Sequence, residues 1–228
     1  MLVAAAVCPC PPLLVPEVAA GAAPELDGLR AACDEALSVL TGAAPELVWV
    51  VGPGPEHKLF DRGGVGGFQG FGVDLGVALG AGDAGETLPS SLAVGAWLLG
   101  RAGWQGETRA LAVADYLEWE LCRENGRELA ATAGRVGFLV LGEGSARRTL
   151  KAPGYLDERA EPFDAAVAAG FAKGELPPLD AELAFELMAS GRAPWQVLAG
   201  ASEQPVESAR LLYDDAPYGV GYFVASWS

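Results

Sequence analysis

The chain predicts a three-layer α/β/α sandwich built on a central mixed, largely parallel sheet. Three observations predict it. Short apolar runs bounded by Gly and Pro recur along the chain, as buried strands do. Between them lie stretches whose apolar residues fall at helical spacing. No repeat or low-complexity linker interrupts the alternation, so a single domain spanning 1–228 is expected.

In order, Leu2–Cys8 reads as a first strand, broken by the turn Pro9-Cys10-Pro11-Pro12. Glu25–Leu40 places Leu26, Leu29, Cys33, Leu37 and Leu40 on one helical face. Leu47–Val51 is a short buried strand stopped by Gly52-Pro53-Gly54-Pro55. The glycine-dense segment Gly63–Gly85 hides its structure, and a strand is expected near Val73–Leu79. A helix is expected over Ser90–Leu99, a strand over Thr108–Val113, a helix over Leu117–Ala133 and a strand over Val136–Leu141. Helices over Asp157–Ala172, Asp180–Ala189 and Ala193–Ala201 follow, then strands Arg210–Tyr213 and Gly219–Ser226.

Composition narrows the function classes. Apolar residues make up 51% of the chain, which excludes a disordered polymer. The net charge of −15 argues against nucleic acid as a partner, since that recognition rests on basic patches. The longest weakly polar runs, Met1–Val7 and Leu92–Leu99, fall well short of the ~20 residues a spanning helix needs, so no membrane partner is expected. Met1–Cys8 has no basic residue before its apolar run and reads as a strand, not a signal peptide. Cys8, Cys10, Cys33 and Cys122 fit free thiols in a reducing cytoplasm. Cys8-x-Cys10 lacks the second pair that a zinc site would need. A small-molecule ligand and a homo-oligomer are both compatible with the sequence.

The strongest chemical constraint is a count: His57 is the sole histidine. Facial-triad iron sites need two imidazoles and a carboxylate, and zinc hydrolases commonly use two or three histidines. A serine hydrolase needs one, but no Gly-x-Ser-x-Gly elbow exists. Gly80-Ala-Gly82-Asp-Ala-Gly85 matches a dinucleotide fingerprint outside any strand-to-helix context and reads as a loop. Gly142-Glu143-Gly144-Ser145 follows a strand, yet no helix starts directly after it to bind an anion. Asp214-Asp215 reads as a solvated turn. His57 sits among Glu56, Lys58 and Asp61, the setting of a surface loop.

Taken together, several segments resemble the class III extradiol ring-cleavage dioxygenase superfamily, including its Memo-like relatives. Ala6-Val7-Cys8-Pro9-Cys10-Pro11-Pro12 is similar to the first strand and loop, where Pro-His-x-Pro supplies a metal histidine. Val50-Val51-Gly52-Pro53-Gly54-Pro55 is similar to the second strand end, usually Pro-His-Gly-Pro or Pro-Ser-His. Leu139–Ala146 falls where relatives carry Ser-x-Asp-Leu-Ser-His with a catalytic histidine. Ser190–Leu198 and Tyr218–Ala225 are similar to the family C-terminus, with the metal carboxylate, or a cysteine in Memo-like proteins, near Ser190.

The resemblance implies the sandwich fold and an Fe(II) site, but the ligands do not carry over. The first histidine has become Cys10, the second Pro53, the catalytic one Ala146 and the carboxylate Ser190. The resulting expectation is a member without ring-cleavage activity or bound cofactor, its pocket kept for binding or structure. Cys10, Pro53, His57, Glu143, Ala146, Ser190 and Arg192 mark that vestigial pocket. Two alternatives stay open. One is iron chemistry with rearranged or partner-supplied ligands. The other is a different reaction at Cys10, Ser190, His57 or Glu143, with Arg192 or Arg147 as the cation that activates the thiol.

Overall fold

The computed structural model of the protein describes residues 1–80, 86–202 and 206–228. The chain opens with β1 (Leu2–Cys8), α1 (Pro16–Ala19), α2 (Asp27–Gly42) and β2 (Leu47–Pro53). After these come β3 (Lys58–Phe60), β4 (Gly64–Gly67), β5 (Gly76–Leu79), α3 (Ser90–Arg101) and β6 (Glu107–Val113). The second half holds α4 (Trp119–Ala130), β7 (Val136–Leu141), α5 (Ala160–Lys173), α6 (Ala181–Glu186), α7 (Arg192–Ala201), β8 (Ala209–Asp215) and β9 (Tyr222–Trp227).

Seven strands form one sheet in the order β3-β6-β2-β7-β1-β9-β8. The four central strands β6, β2, β7 and β1 run parallel, while β3 pairs antiparallel with β6 and β9 antiparallel with β1. The sheet is therefore mixed and largely parallel at its centre, as expected. Parallel strands need covering on both faces, and the strand residues supply two apolar sets by alternation. Ala4, Ala6 and Cys8 of β1, Val48 and Val50 of β2, and Leu139 and Leu141 of β7 face α2 and α3. Ala5 and Val7, Trp49 and Val51, Phe138 and Val140 face the helices of the second half. There Trp195, Phe171, Phe223 and Trp227 pack as an aromatic cluster, with Phe171 and Trp195 edge to face at 5.4 Å.

Local chemistry explains the helix ends. Gly174 takes a left-handed conformation (φ 75°) and closes α5. The Asp180 carboxylate accepts the Leu183 amide at 2.7 Å and caps α6. Helices α4 and α7 meet backbone to backbone, because a Cβ at Gly126 or Gly200 would strike the opposing main chain.

The differences from expectation lie in the glycine-rich region and at element ends. The strand expected over Val73–Leu79 is only β5, paired with β4 in a separate two-stranded ribbon. Strand β3 is an addition to the expected elements: with three residues, Lys58–Phe60, it offers too little alternation to read. The final strand begins at Tyr222, since Gly219 turns with φ 75°. Most of the dinucleotide-like fingerprint, residues 81–85, falls outside the described residues.

Candidate functional site

The four parallel strands end on one edge of the sheet, where open α/β sheets place their ligands. Cys8 ends β1, Pro53 ends β2, Val113 ends β6 and Leu141 ends β7. The chain leaves β7 through Gly142, whose φ of 153° and close approach to the Gly191 backbone leave no room for a Cβ. That approach lays Glu143 directly against Ser190.

Glu143 is held from three directions. Its carboxylate accepts the Cys10 amide at 2.8 Å and the Ser190 hydroxyl at 2.5 Å. Its own amide donates to Ser190 Oγ at 3.1 Å, and its carbonyl accepts the Gly191 amide at 2.9 Å. One half-buried side chain thus links the ends of β1 and β7 to the entry of α7. The loop beyond it is equally tied: Ser145 donates its amide to the buried Asp164 at 2.8 Å and its hydroxyl to the Leu187 carbonyl at 3.0 Å. Burial pushes the Asp164 carboxyl up, opposed by the Ser145 amide and by Arg148 at 3.0 Å.

A groove of about 670 Å³ opens beside this clasp, with Pro53, Asp115, Arg147, Met188, Ser190 and Arg192 among its walls. Its volume lies within the usual range for small-molecule sites. A larger hollow of about 830 Å³ lies at the other end of β1, against Leu2–Ala4 and Trp227. It sits at the amino-terminal ends of the strands, where the ligand rule for open sheets gives it no role.

The sequence-predicted positions divide. Pro53, Ser190 and Arg192 line the groove, and Cys10 and Glu143 adjoin it through the clasp. The Cys10 side chain itself packs into the apolar cluster beneath α2. Ala146 is buried, its amide on the Leu187 carbonyl at 3.0 Å. His57 is exposed in the turn between β2 and β3 and is not a groove residue; partial burial lowers its pKa from 6.5.

The cation expected beside Cys10 is not there. Arg192, only 2% exposed, donates to the carbonyls of Leu117 (2.5 Å) and Asp115. The neighbour of Cys10 is the Glu143 carboxylate, and burial together with that negative charge pushes the thiol well above 9.0. A thiol so placed stays protonated and is a poor nucleophile at neutral pH. Burial and Glu143 likewise push the Tyr222 hydroxyl up.

Among the described residues, no group of three or more His, Cys, Asp and Glu side chains is arranged to hold a metal ion. Asp115 and Tyr222 are absent from the sequence-predicted set. Asp115 carries a local signal, an acid two residues past a predicted strand end, whereas the approach of Tyr222 to Glu143 depends on strand pairing across the sheet.

No family model matches the chain, and no curated protein matches it either. Among solved structures, the chain is similar to an uncharacterized protein from Escherichia coli K12, with 15% identity over 99% of each chain and a TM-score of 0.52. At that identity the likeness speaks to the fold alone.

Proposed function

We propose that this chain is a class III extradiol dioxygenase-like protein in which an internal carboxylate clasp occupies the place of the metal centre, leaving the strand-end groove for ligand binding rather than ring cleavage. The observation that carries the reading is Glu143: its two oxygens are taken by Cys10 and Ser190, the residues at two of the four positions that the resemblance assigns to the metal and its chemistry.

The Fe(II) of that family does not fit this donor set. Pro53 and Ala146 have no side-chain donor atom, and the Cys10 thiol is held protonated. The Ser190 hydroxyl is spent on Glu143. With His57 as its sole histidine, the chain by itself lacks the second imidazole of a facial triad. Fold alone does not confer the reaction, and the departures at the site weigh more than the architecture.

The test is anaerobic loading of the purified chain with Fe(II), followed by iron analysis after desalting and oxygen uptake with protocatechuate-like catechols. The expected result is iron far below one per chain and no uptake above background. One tightly held iron per chain with catechol-dependent uptake would overturn the reading and favour an iron enzyme with rearranged ligands.

A further inference from the structure

We infer that Tyr213, Tyr218 and Tyr222 form a binding site for a primary alkylammonium, with the Tyr222 hydroxyl as the group that takes its N–H. The site lies on the α2-facing side of the sheet, across from the helices that wall the groove, so it stands whatever the groove binds.

Strand pairing assembles the site. Three of the chain's five tyrosines fall between positions 213 and 222. Tyr222 of β9 stands directly across from Asp215 of β8, and Tyr213 across from Val224, so alternation puts all four side chains on one face. Tyr222 and Val224 are buried in the apolar cluster beneath α2, and the half-buried Tyr213 and Tyr218 pack against it. The Tyr218 hydroxyl donates to Glu25 at 3.0 Å.

The Tyr222 hydroxyl is the group left over. The residue is 3% exposed, yet among the described residues its hydroxyl makes no hydrogen bond. Nor is the oxygen sealed in: among the described residues, the unpartnered polar side-chain atoms without accessible surface are Asn125 Nδ2, Arg147 Nε and Trp195 Nε1. The little area that Tyr222 keeps therefore includes its oxygen. Buried hydroxyls normally find a partner, so an accessible, unpartnered oxygen on a buried ring points to a donor arriving from outside. Glu143, Tyr218 and Tyr213 all lie close enough for their charges to act on it, which sets the oxygen among the other two phenols and the clasp. Burial and Glu143 keep it protonated, so it meets a donor with its lone pairs.

Charge decides what arrives. Among the described residues, no Lys or Arg pairs with Glu25, Glu143 or Asp215. Their oxygens take uncharged donors: the Tyr218 hydroxyl, the clasp, and the Ala216 amide at 2.7 Å. The cations of the surrounding elements are committed. Arg30 holds Asp27 at 2.6 Å and the carbonyls of Leu14 and Ala23. Arg101 holds Asp34, Arg148 holds Asp164 and Arg210 holds Glu35. The field at the three rings is therefore negative, which repels anions and draws cations. No group of three or more His, Cys, Asp and Glu side chains among the described residues is arranged for a metal ion, whereas aromatic faces attract organic cations. A primary ammonium satisfies both features, its charge over the rings and an N–H for the Tyr222 oxygen.

Titration calorimetry on the full chain at fixed ionic strength tests the inference, with n-butylammonium, the neutral n-butanol and the quaternary n-butyltrimethylammonium as probes. Butylammonium is expected to saturate one site and to bind about tenfold or more tighter than butanol, the size of a hydrogen bond to a charged group. Tyr222→Phe keeps the ring and removes the oxygen. It is expected to weaken butylammonium about tenfold and to leave the quaternary probe, which has no N–H, unchanged. Asp215→Asn, an exposed change that leaves the core intact, is expected to weaken both cations. Tyr116→Phe, on the groove side, is expected to change neither. Equal binding of butanol and butylammonium would overturn the inference. Butylammonium binding untouched by Tyr222→Phe would place the cation elsewhere, the exposed Asp115 of the groove included, and overturn it too. Equal weakening of both cations in Tyr222→Phe would assign the effect to ring packing and overturn the role of the hydroxyl. Silence from every probe also overturns it, while the iron-loading experiment decides the wider reading independently.

Discussion

Glu143→Ala is the sharpest probe of the clasp. The substitution removes the acceptor of the Cys10 amide at 2.8 Å and of the Ser190 hydroxyl at 2.5 Å. Cys10 is 6% exposed, so its freed amide finds little water. A hydrogen bond to a charged group contributes about 1.5–3 kcal/mol, and Glu143 is only half-buried, which places each loss at the lower end. Two such losses give about 3–4 kcal/mol. For a chain of this size, at about 3 °C per kcal/mol, the melting temperature should fall by roughly 9–12 °C. Glu143→Gln should lose about half as much: its amide oxygen still accepts from Cys10, while its NH₂ faces a hydroxyl that must turn its proton away. Thermal melts followed by circular dichroism at pH 7 measure both variants. A third readout is chemical: without the carboxylate, the Cys10 thiol loses its repelling neighbour and should alkylate faster at a given pH. Unchanged or raised stability in Glu143→Ala would refute the reasoning, because removing a carboxylate kept for function at the expense of stability commonly stabilises a protein.

Three further outcomes are expected. Gly142→Ala, at φ 153° and against the Gly191 backbone, should destabilise by about 3 kcal/mol or more, seen as a lowered denaturation midpoint. The Cys122 thiol is pushed from 9.0 to about 11, mainly by burial. The unfolded chain therefore gives up this proton first, so the stability it contributes is whole below pH 9 and is lost as pH rises toward 11. Between pH 8 and 10.5 that is about 2 kcal/mol, and Cys122→Ala should show a fall in denaturation free energy smaller by that amount. His57→Ala should change stability by less than about 1 kcal/mol and leave groove binding unaltered, since His57 is exposed in the β2–β3 turn; a large loss of ligand affinity would show that the imidazole reaches the groove.

Much of the framework is readable in the residues. β1 and β7 span Leu2–Cys8 and Val136–Leu141, the bounds their apolar runs suggest, because continuous burial and Gly or Pro punctuation are local properties. The single histidine leaves this chain short of the two imidazoles of a facial-triad iron site and of the two or three that zinc hydrolases commonly use. Motif order also singles out Cys10, Glu143 and Ser190, though not the bonds between them.

Those bonds are a tertiary matter. Glu143 and Ser190 lie 47 positions apart and Cys10 and Glu143 133 apart; they meet because β1 and β7 pair and because Gly142 lets α7 enter against the loop. The sequence supplied Arg192 as a candidate activating cation, and packing turned it onto two carbonyls instead, since a buried guanidinium must satisfy its donors wherever acceptors lie. Arg147 took the opposite course, its Nε buried without a hydrogen-bond partner. Residue types and strand periodicity thus set the layers and the available chemistry, while long-range pairing decided which polar groups satisfy one another and which stay free.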